Sequence, residues 1–204
     1  MRWLLSVVAI LLAALPVRAE ERPSHEQIVR QFEAISFSAE WGGEKRDGQF
    51  GRWHINPIRL AALPTADADK QAAVQGVLHE LTAISGLPMR FAASGEKANV
   101  FVSFTPTGGC RMAIRRTHVD VLIARDRQER CLWAELAQMI GPTNDACHYR
   151  PSLFCDGERN TGMTWADRLI MQATFDPRLQ RGMSPAEAMP IARTVLWEFY
   201  NSAR

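Results

Sequence analysis

A glutamate and a glutamine lie three residues apart in segment 131–145, CLWAELAQMIGPTND. Apolar residues recur in it at helical spacing until a Gly-Pro pair ends the pattern: Leu132, Leu136, Met139, Ile140, then Gly141-Pro142. Glu135 and Gln138 therefore share one face of a predicted helix, one turn apart. A carboxylate in this setting suits general acid–base chemistry, and it equally suits a structural role as hydrogen-bond partner of a neighbouring strand. Both roles stay open.

Helices and strands precede this segment. Ser24 and Gln27 predict a capping box at the start of a first helix, and an alternating pattern predicts a strand over residues 51–60. Pro57 favours an edge position or a strand end. The other expected elements are a helix from Pro64 to a Gly86 cap, strands over 89–92, 98–104 and 119–123, and helices that begin at Thr164 and Ser184. This order predicts an α+β domain, with the sheet first and the helices after it.

The first 19 residues predict a signal peptide. A lone Arg2 precedes an apolar run over residues 3–15, and Val17 and Ala19 suit a cleavage site. The run is too short to cross a bilayer, so we expect an exported protein with no stable membrane span after cleavage and a single domain over residues 20–204. A retained amino-terminal anchor is the alternative.

Cleavage at this site changes the charge balance. It removes two arginines and no acidic residue, so the 24 Lys and Arg fall to 22 and equal the 22 Asp and Glu. A net charge near zero gives no support to nucleic-acid binding.

All four cysteines, Cys110, Cys131, Cys147 and Cys155, lie beyond the predicted signal. An even number of cysteines in an exported chain favours disulfides over metal thiolates. Three pairings are possible. We favour Cys110–Cys131, which would tie a loop to the Glu135 helix, together with Cys147–Cys155, which would close a short loop around Pro151. No C-x-x-C pair supports a zinc–thiolate site.

The predicted order helix–strand–helix–strand–strand–strand–helix, with a glutamate on the last helix, resembles the catalytic half of zincin metalloproteases. The metzincin pattern H-E-x-x-H-x-x-G-x-x-H matches this chain at Glu135 and Gly141. Its three histidines fall on Ala134, Gln138 and Asn144. The resemblance implies a zincin-like (metzincin-like) fold, in which a small mixed sheet packs against helices and the carboxyl-terminal part is helical.

The chemistry of zinc makes the missing histidines decisive. Catalytic zinc takes three protein ligands, commonly imidazole nitrogens, and leaves one position for water. Ala134 has no donor atom, and the amide oxygens of Gln138 and Asn144 are poor zinc ligands. Without the metal, a glutamate base would face water with a pKa of about 15.7 rather than about 7. Phe154 also stands where the Met-containing turn would place methionine. We therefore expect no metal, no cofactor and a pseudoenzyme.

A closer resemblance spans roughly residues 24–192. Short segments resemble an uncharacterised family of exported bacterial proteins, periplasmic or secreted, known as domain of unknown function 2927: residues 52–53, 57–60, 98–102, 135–138, 141–145, 151–154, 167–169, 176–179 and 182–183. That family typically carries Glu and Gln, rather than two histidines, on the central helix. The resemblance implies an ordinary member of the family rather than a damaged protease, and it supplies no activity.

The predicted site residues surround the end of the central helix. We expect Glu135 as the catalytic group, if there is one, and Gln138, Asn144, Asp145 and His148 as binding residues. A divalent-metal site formed by Glu135, Asp145 and His148 is an alternative. A cysteine nucleophile and a serine hydrolase have no support, because exported cysteines pair and no G-x-S-x-G motif occurs.

The sequence thus predicts a non-catalytic, zincin-like domain that binds a peptide or a cell-envelope component. In this hypothesis the cleft lies between an edge strand at residues 98–104 and the Glu135 helix, and the ligand adds to the sheet as a strand. The alternative is a hydrolase in which Glu135 acts as general acid or base, with or without an unusual metal site, while Gln138 and Asn144 orient substrate or water.

Overall fold

The computed structural model describes residues 22–37, 48–61, 68–115, 117–157 and 161–202. These residues form five α-helices and five strands: α1 His25–Ser36, β1 Ile58–Leu60, α2 Ala68–Ser85, β2 Met89–Phe91, β3 Val100–Thr105, β4 Arg111–Ile114, β5 Val119–Ala124, α3 Gln128–Ile140, α4 Trp165–Thr174 and α5 Pro185–Ser202. A 3₁₀ turn, Arg125–Arg127, leads from β5 into α3. The predicted signal peptide and the expected start of the second helix at Pro64 lie outside the described residues.

The strands form one sheet with the order β2-β1-β3-β5-β4. Four strands are parallel, and β4 runs antiparallel to β5 with Met112 beside Val121. The mixed α+β class predicted from the sequence is therefore confirmed. The position of the edge strand is not. Residues 98–104 belong to β3, which lies inside the sheet between β1 and β5, whereas the edge next to α3 is β4, a strand that the sequence analysis missed.

The first strand is much shorter than the strand predicted from the alternating pattern over residues 51–60. Only Ile58–Leu60 enter the sheet, directly after the cis Asn56–Pro57 peptide bond. Proline has no N–H to donate to a neighbouring strand, so the strand begins beyond it. Pro57 thus marks a strand end, and β1 itself lies between β2 and β3 rather than at an edge.

Capping residues set the helix starts at the predicted positions. Ser24 and Gln27 form the capping box of α1. Ser184 and Glu187 exchange the same pair of hydrogen bonds ahead of α5. Gly86 follows α2 with φ of +70°, a left-handed conformation that costs glycine little and that ends many helices.

The core lies between the sheet and two layers of helices. Alternate side chains of β3 and β5 point into it and are buried, namely Val100, Val102, Val119, Val121 and Ile123. Helices α2 and α3 pack against the sheet, and α1, α4 and α5 pack with one another behind them. On the opposite face of the sheet Phe101 is 41% exposed. Among the described residues no helix is both long enough and apolar enough to span a membrane.

Candidate functional site

A cleft of about 250 Å³ lies between β4 and one side of α3. The wall formed by α3 and the turn before it carries residues three or four apart, which places them along one helix face: Arg127, Arg130, Cys131, Ala134, Glu135 and Gln138. The opposite wall comes from β4 and the two residues before it: Gly109, Cys110, Arg111, Met112 and Ile114. Thr143, Asp145 and Asp156, from the segment after α3, complete the lining.

Helix α3 is held in place by its apolar side and by a close contact at its end. Leu132, Leu136 and Ile140 are at most 1% exposed and belong to the core. The helix ends before Gly141, where an added Cβ would lie 3.0 Å from Cγ2 of Thr174 on α4. This close approach of α4 explains why position 141 is glycine, because a side chain there would press against Thr174.

Two disulfides fasten the segments that line the cleft. Cys110–Cys131 joins the residue before β4 to the first turn of α3, with 5.8 Å between Cα atoms. Cys147–Cys155 closes a short loop, with 4.8 Å between Cα atoms. These are the pairings favoured from the sequence, and two such pairs are compatible with an exported protein.

Three of the predicted site residues meet inside the cleft. Glu135 and Gln138 are each 8% exposed, although both are polar. The Gln138 Nε2 group donates a hydrogen bond of 2.7 Å to Oδ1 of Asp145. This bond fixes the orientation of the Gln138 amide and places a second carboxylate beside the helix. A group of two carboxylates and one amide is chemically suited to the recognition of N–H donors.

The other two predicted binding residues lie outside the cleft lining. The Asn144 side chain donates to the Ala34 carbonyl on α1 at 3.1 Å, and the His148 backbone N–H donates to Oε1 of Gln31 at 2.9 Å. Gln31, which is fully buried, also donates to the Ala146 carbonyl at 2.6 Å. These contacts hold the segment after α3 against α1.

The donor set does not fit a metal ion. Ala134 lines the cleft without a ligand atom, and Asn144 is turned towards α1. The proposed grouping of Glu135 and Asp145 with His148 is wrong, because His148 does not line the cleft. Within the ranges that the structure describes, no group of three or more His, Cys, Asp or Glu residues could hold a metal ion.

A buried carboxylate at the start of α4 organises the loop beneath the cleft. Asp167, which is fully buried, accepts hydrogen bonds from Tyr149 Oη at 2.7 Å, Ser152 Oγ at 2.8 Å, and the backbone N–H groups of Leu153 and Thr164 at 2.9 Å each. Burial, and then the charge of Asp167, raises the pKa of the Tyr149 hydroxyl well above its usual value near 10. The predicted helix start at Thr164 is confirmed. The links to residues 149–153 were missed, because they are 14 to 18 positions away in sequence.

The sequence model of a family described as protein of unknown function (DUF2927) matches residues 25–120 and 111–194. The chain belongs to this family. No curated protein matches its sequence. Membership in DUF2927 assigns no activity, so the function of this DUF2927 chain has to be argued from its cleft.

Three arginines of the DUF2927 cleft are not among the residues predicted from the sequence. Arg111, Arg127 and Arg130 all line it. The Nη2 group of Arg130 donates a hydrogen bond of 2.9 Å to the Cys155 carbonyl in the segment after α3. The signal that points to them is the Cys110–Cys131 pairing, since Arg111 and Arg130 are the chain neighbours of the two cysteines. Without knowledge of β4, that pairing did not identify a cleft.

A wider depression of about 860 Å³ lies elsewhere on the DUF2927 chain, around Phe101 and Asp120. It is broad and open, and its two carboxylates already have partners. Glu96 pairs with Arg90 at 2.6 Å, and Asp120 pairs with Arg115 at 3.3 Å and with His118 at 3.4 Å. We therefore place the candidate site in the smaller cleft, where buried polar side chains converge.

Proposed function

We propose that this DUF2927 chain is an exported bacterial binding protein that takes up an extended peptide segment of the cell envelope as a strand added to β4. One observation carries the proposal: the free edge of β4 forms a wall of the cleft that contains the buried Glu135 and Gln138. An exposed sheet edge is a template for pairing with another chain, and the side chains beside it form the surface that the added chain would contact.

The hydrogen-bond pattern of the β4–β5 hairpin identifies which backbone groups face outwards. Arg115 N–H donates to the His118 carbonyl at 2.8 Å, so the pairs at every second position along the hairpin are the hydrogen-bonded ones. Ala113 with Asp120, and Arg111 with Leu122, are such pairs. The N–H and C=O groups of Met112 and Ile114 therefore point away from β5. Among the described residues neither takes part in a hydrogen bond on that side, and both line the cleft.

A zincin-like origin of this cleft agrees with the element order. Apart from the additional strand β4, helices and strands up to α3 follow the order that the resemblance implied, and Glu135 lies on α3. The chemistry of zinc does not agree, because Ala134 and Asn144 supply no ligands to the cleft. We therefore propose that the groove of a zincin-like fold serves here for binding without the metal.

The second candidate function is a hydrolase that uses Glu135 as general acid or base. The observation that favours it is the 8% exposure of Glu135 next to the oriented amide of Gln138. Burial of a carboxyl group in a cleft is a common feature of catalytic acids and bases. We favour the binding role because it requires only the free edge and the cleft, whereas a hydrolase also requires catalytic groups.

Peptide selection tests the binding proposal. Protein expressed in the periplasm, with its disulfides formed, is immobilised and panned against a displayed library of random heptapeptides. Ile114→Pro removes an outward N–H of β4 without touching the bonds to β5, and Ile114→Val is its matched control. We expect enriched peptides whose affinity is unchanged by Ile114→Val and falls at least tenfold with Ile114→Pro.

Near-UV circular dichroism of the variants checks that they are folded. Should Ile114→Pro unfold, N-methylation of alternate amides in the best peptide tests the same hydrogen bonds on the unmodified protein. Loss of affinity at every second methylated position supports strand addition. No enrichment over the bait-free control, or equal affinity of all N-methylated peptides, overturns the proposal.

The hydrolase alternative is tested with Glu135→Gln. A panel of peptidase, esterase and glycosidase substrates is assayed with wild type and variant, and metal content is measured on the same samples. Equal background rates in both proteins exclude Glu135 as acid or base for these reactions. Activity that is lost in Glu135→Gln, or stoichiometric tightly bound zinc, would replace the binding proposal with the enzymatic one.

A further inference from the structure

The charged residues of the cleft are arranged unevenly along its length. The Cys110–Cys131 disulfide holds the start of β4 beside the first turn of α3. Arg111 follows Cys110, Arg130 precedes Cys131, and Arg127 lies one turn before Cys131, so all three arginines gather at this end. Glu135 and Gln138, with Asp145, lie one and two turns further along the helix face. The cleft thus has a basic end, which lies beside the Cys110–Cys131 disulfide.

The guanidinium groups at the basic end are only weakly neutralised by the protein itself. Arg111 is exposed and has no ion-pair partner within the described part of the chain. Arg127 is 3.8 Å from its neighbour Asp126, and both side chains are at least half exposed, so this pair contributes little. Arg130 donates to a neutral carbonyl, and its Nε atom is buried without a hydrogen-bond partner. Asp156 is the single acid that lines this end.

We take the added peptide to pair antiparallel to β4, and the direction of β4 then determines which end of the peptide meets the arginines. A peptide paired antiparallel to β4 runs from beside Ile114 towards Arg111. Its later residues therefore reach the basic end, and its earlier residues lie near Ile114. The 11 positions from Arg127 to Gln138 span about 16 Å at 1.5 Å per helical residue. This length accommodates about five residues of an extended chain at 3.4 Å each.

We infer that the ligand of this cleft is an extended peptide with acidic side chains at the carboxyl-terminal side of the segment that pairs with β4. The inference rests on the proposed function and deepens it, because it names the chemistry and the orientation of the ligand. Guanidinium groups bind carboxylates through paired, charge-assisted hydrogen bonds, which suits aspartate or glutamate at these positions.

The displayed heptapeptide library supplies the test, with the position of each acidic residue as the readout. We expect Asp and Glu to be enriched at the last two or three variable positions. Arg111→Glu should remove this bias and lower the affinity for a fluorescein-labelled copy of the best heptapeptide at least tenfold. Lys97→Glu makes the same change of charge at an exposed position outside the cleft, and it should alter the affinity less than twofold.

The possible outcomes distinguish a failure of the charge assignment from a failure of strand addition. Enrichment without any bias in acidic position, bias at the amino-terminal side, or an equal effect of Lys97→Glu and Arg111→Glu overturns the charge assignment while strand addition stands. Failure to enrich any peptide over the bait-free control overturns strand addition, and the present inference falls with it. Carboxyl-terminal acidic bias that depends on Arg111 supports both.

Discussion

Replacement of Asp167 should show whether this residue acts as a buried acceptor for several hydrogen bonds or only as a cap of helix α4. In Asp167→Ala, the hydroxyls of Tyr149 and Ser152 and the N–H groups of Leu153 and Thr164 lose their acceptor in the interior. A hydroxyl can turn to another acceptor, but a backbone N–H cannot. A buried donor without a partner costs about 1–3 kcal/mol. The Leu153 N–H is buried and the Thr164 N–H is partly buried, so these two backbone groups alone predict a loss of about 3 kcal/mol in the free energy of unfolding.

Asp167→Asn should cost far less than Asp167→Ala. Its amide oxygen can occupy the position of Oδ2 and accept from the two backbone N–H groups, while its NH₂ donates to the two hydroxyl oxygens. All four contacts survive without the extra strength that the charge provides. We expect a loss of about 1–2 kcal/mol, since bonds to charged groups exceed neutral ones by roughly that amount.

Urea unfolding of the oxidised protein, followed by circular dichroism and tryptophan fluorescence, measures these differences. Gln27→Ala is the control, because Gln27 belongs to the exposed capping box of α1 and should cost less than about 1 kcal/mol. The total stability of a domain this size is about 5–15 kcal/mol, so the alanine variant should remain measurable. Equal losses in Asp167→Asn and Asp167→Ala, or an Asp167→Ala loss no larger than that of Gln27→Ala, would refute the reasoning.

Two further predictions follow from single contacts. The folded protein raises the pKa of Tyr149 above 10, so the unfolded chain loses that proton first as pH rises. The contribution of Tyr149 to the free energy of unfolding should therefore be fully present below pH 10 and fall by about 1.4 kcal/mol per pH unit above it. Tyr149→Phe should flatten this decline between pH 10 and 11.5 in urea titrations, and identical slopes would contradict the assignment. Gly141→Ala should destabilise by about 1–3 kcal/mol, because its Cβ would press on Thr174, whereas Gly76→Ala, inside α2 with no atom within 4 Å, should stabilise by about 1 kcal/mol. Thermal melts of the two variants in the same direction would disprove this account.

The elements that local sequence determines were predictable. Capping boxes at Ser24 and Thr164 involve residues three apart, so the sequence alone contains the whole signal. The apolar stripe of α3 and its end at Gly141 are equally local. The sequence left three cysteine pairings open, and the favoured one, in which Cys147–Cys155 closes a short loop and Cys110–Cys131 ties a loop to the helix, is the one observed.

The edge strand was not predictable by the same means. β4 has only four residues, and its alternation of exposed Arg111 and buried Met112 is too short to stand out from a loop. β3 looked like an edge because nothing in its own residues reveals which strands lie on either side of it. Strand order depends on pairings between distant segments. The same pairings place β4, and with it Arg111, beside the helix that carries Glu135.

The geometry of the cleft is maintained by contacts that need no metal. The beginning of α3 is tied to β4 by the Cys110–Cys131 disulfide, and its end rests on α4 through Gly141. Asp167 and Gln31 hold the segment after α3 by hydrogen bonds to backbone groups. In a zinc enzyme the ligands themselves would link such segments. Because this chain fixes each segment in another way, the cleft keeps its shape without metal ligands, and in the proposed function the free edge of β4 is the feature that binds the peptide.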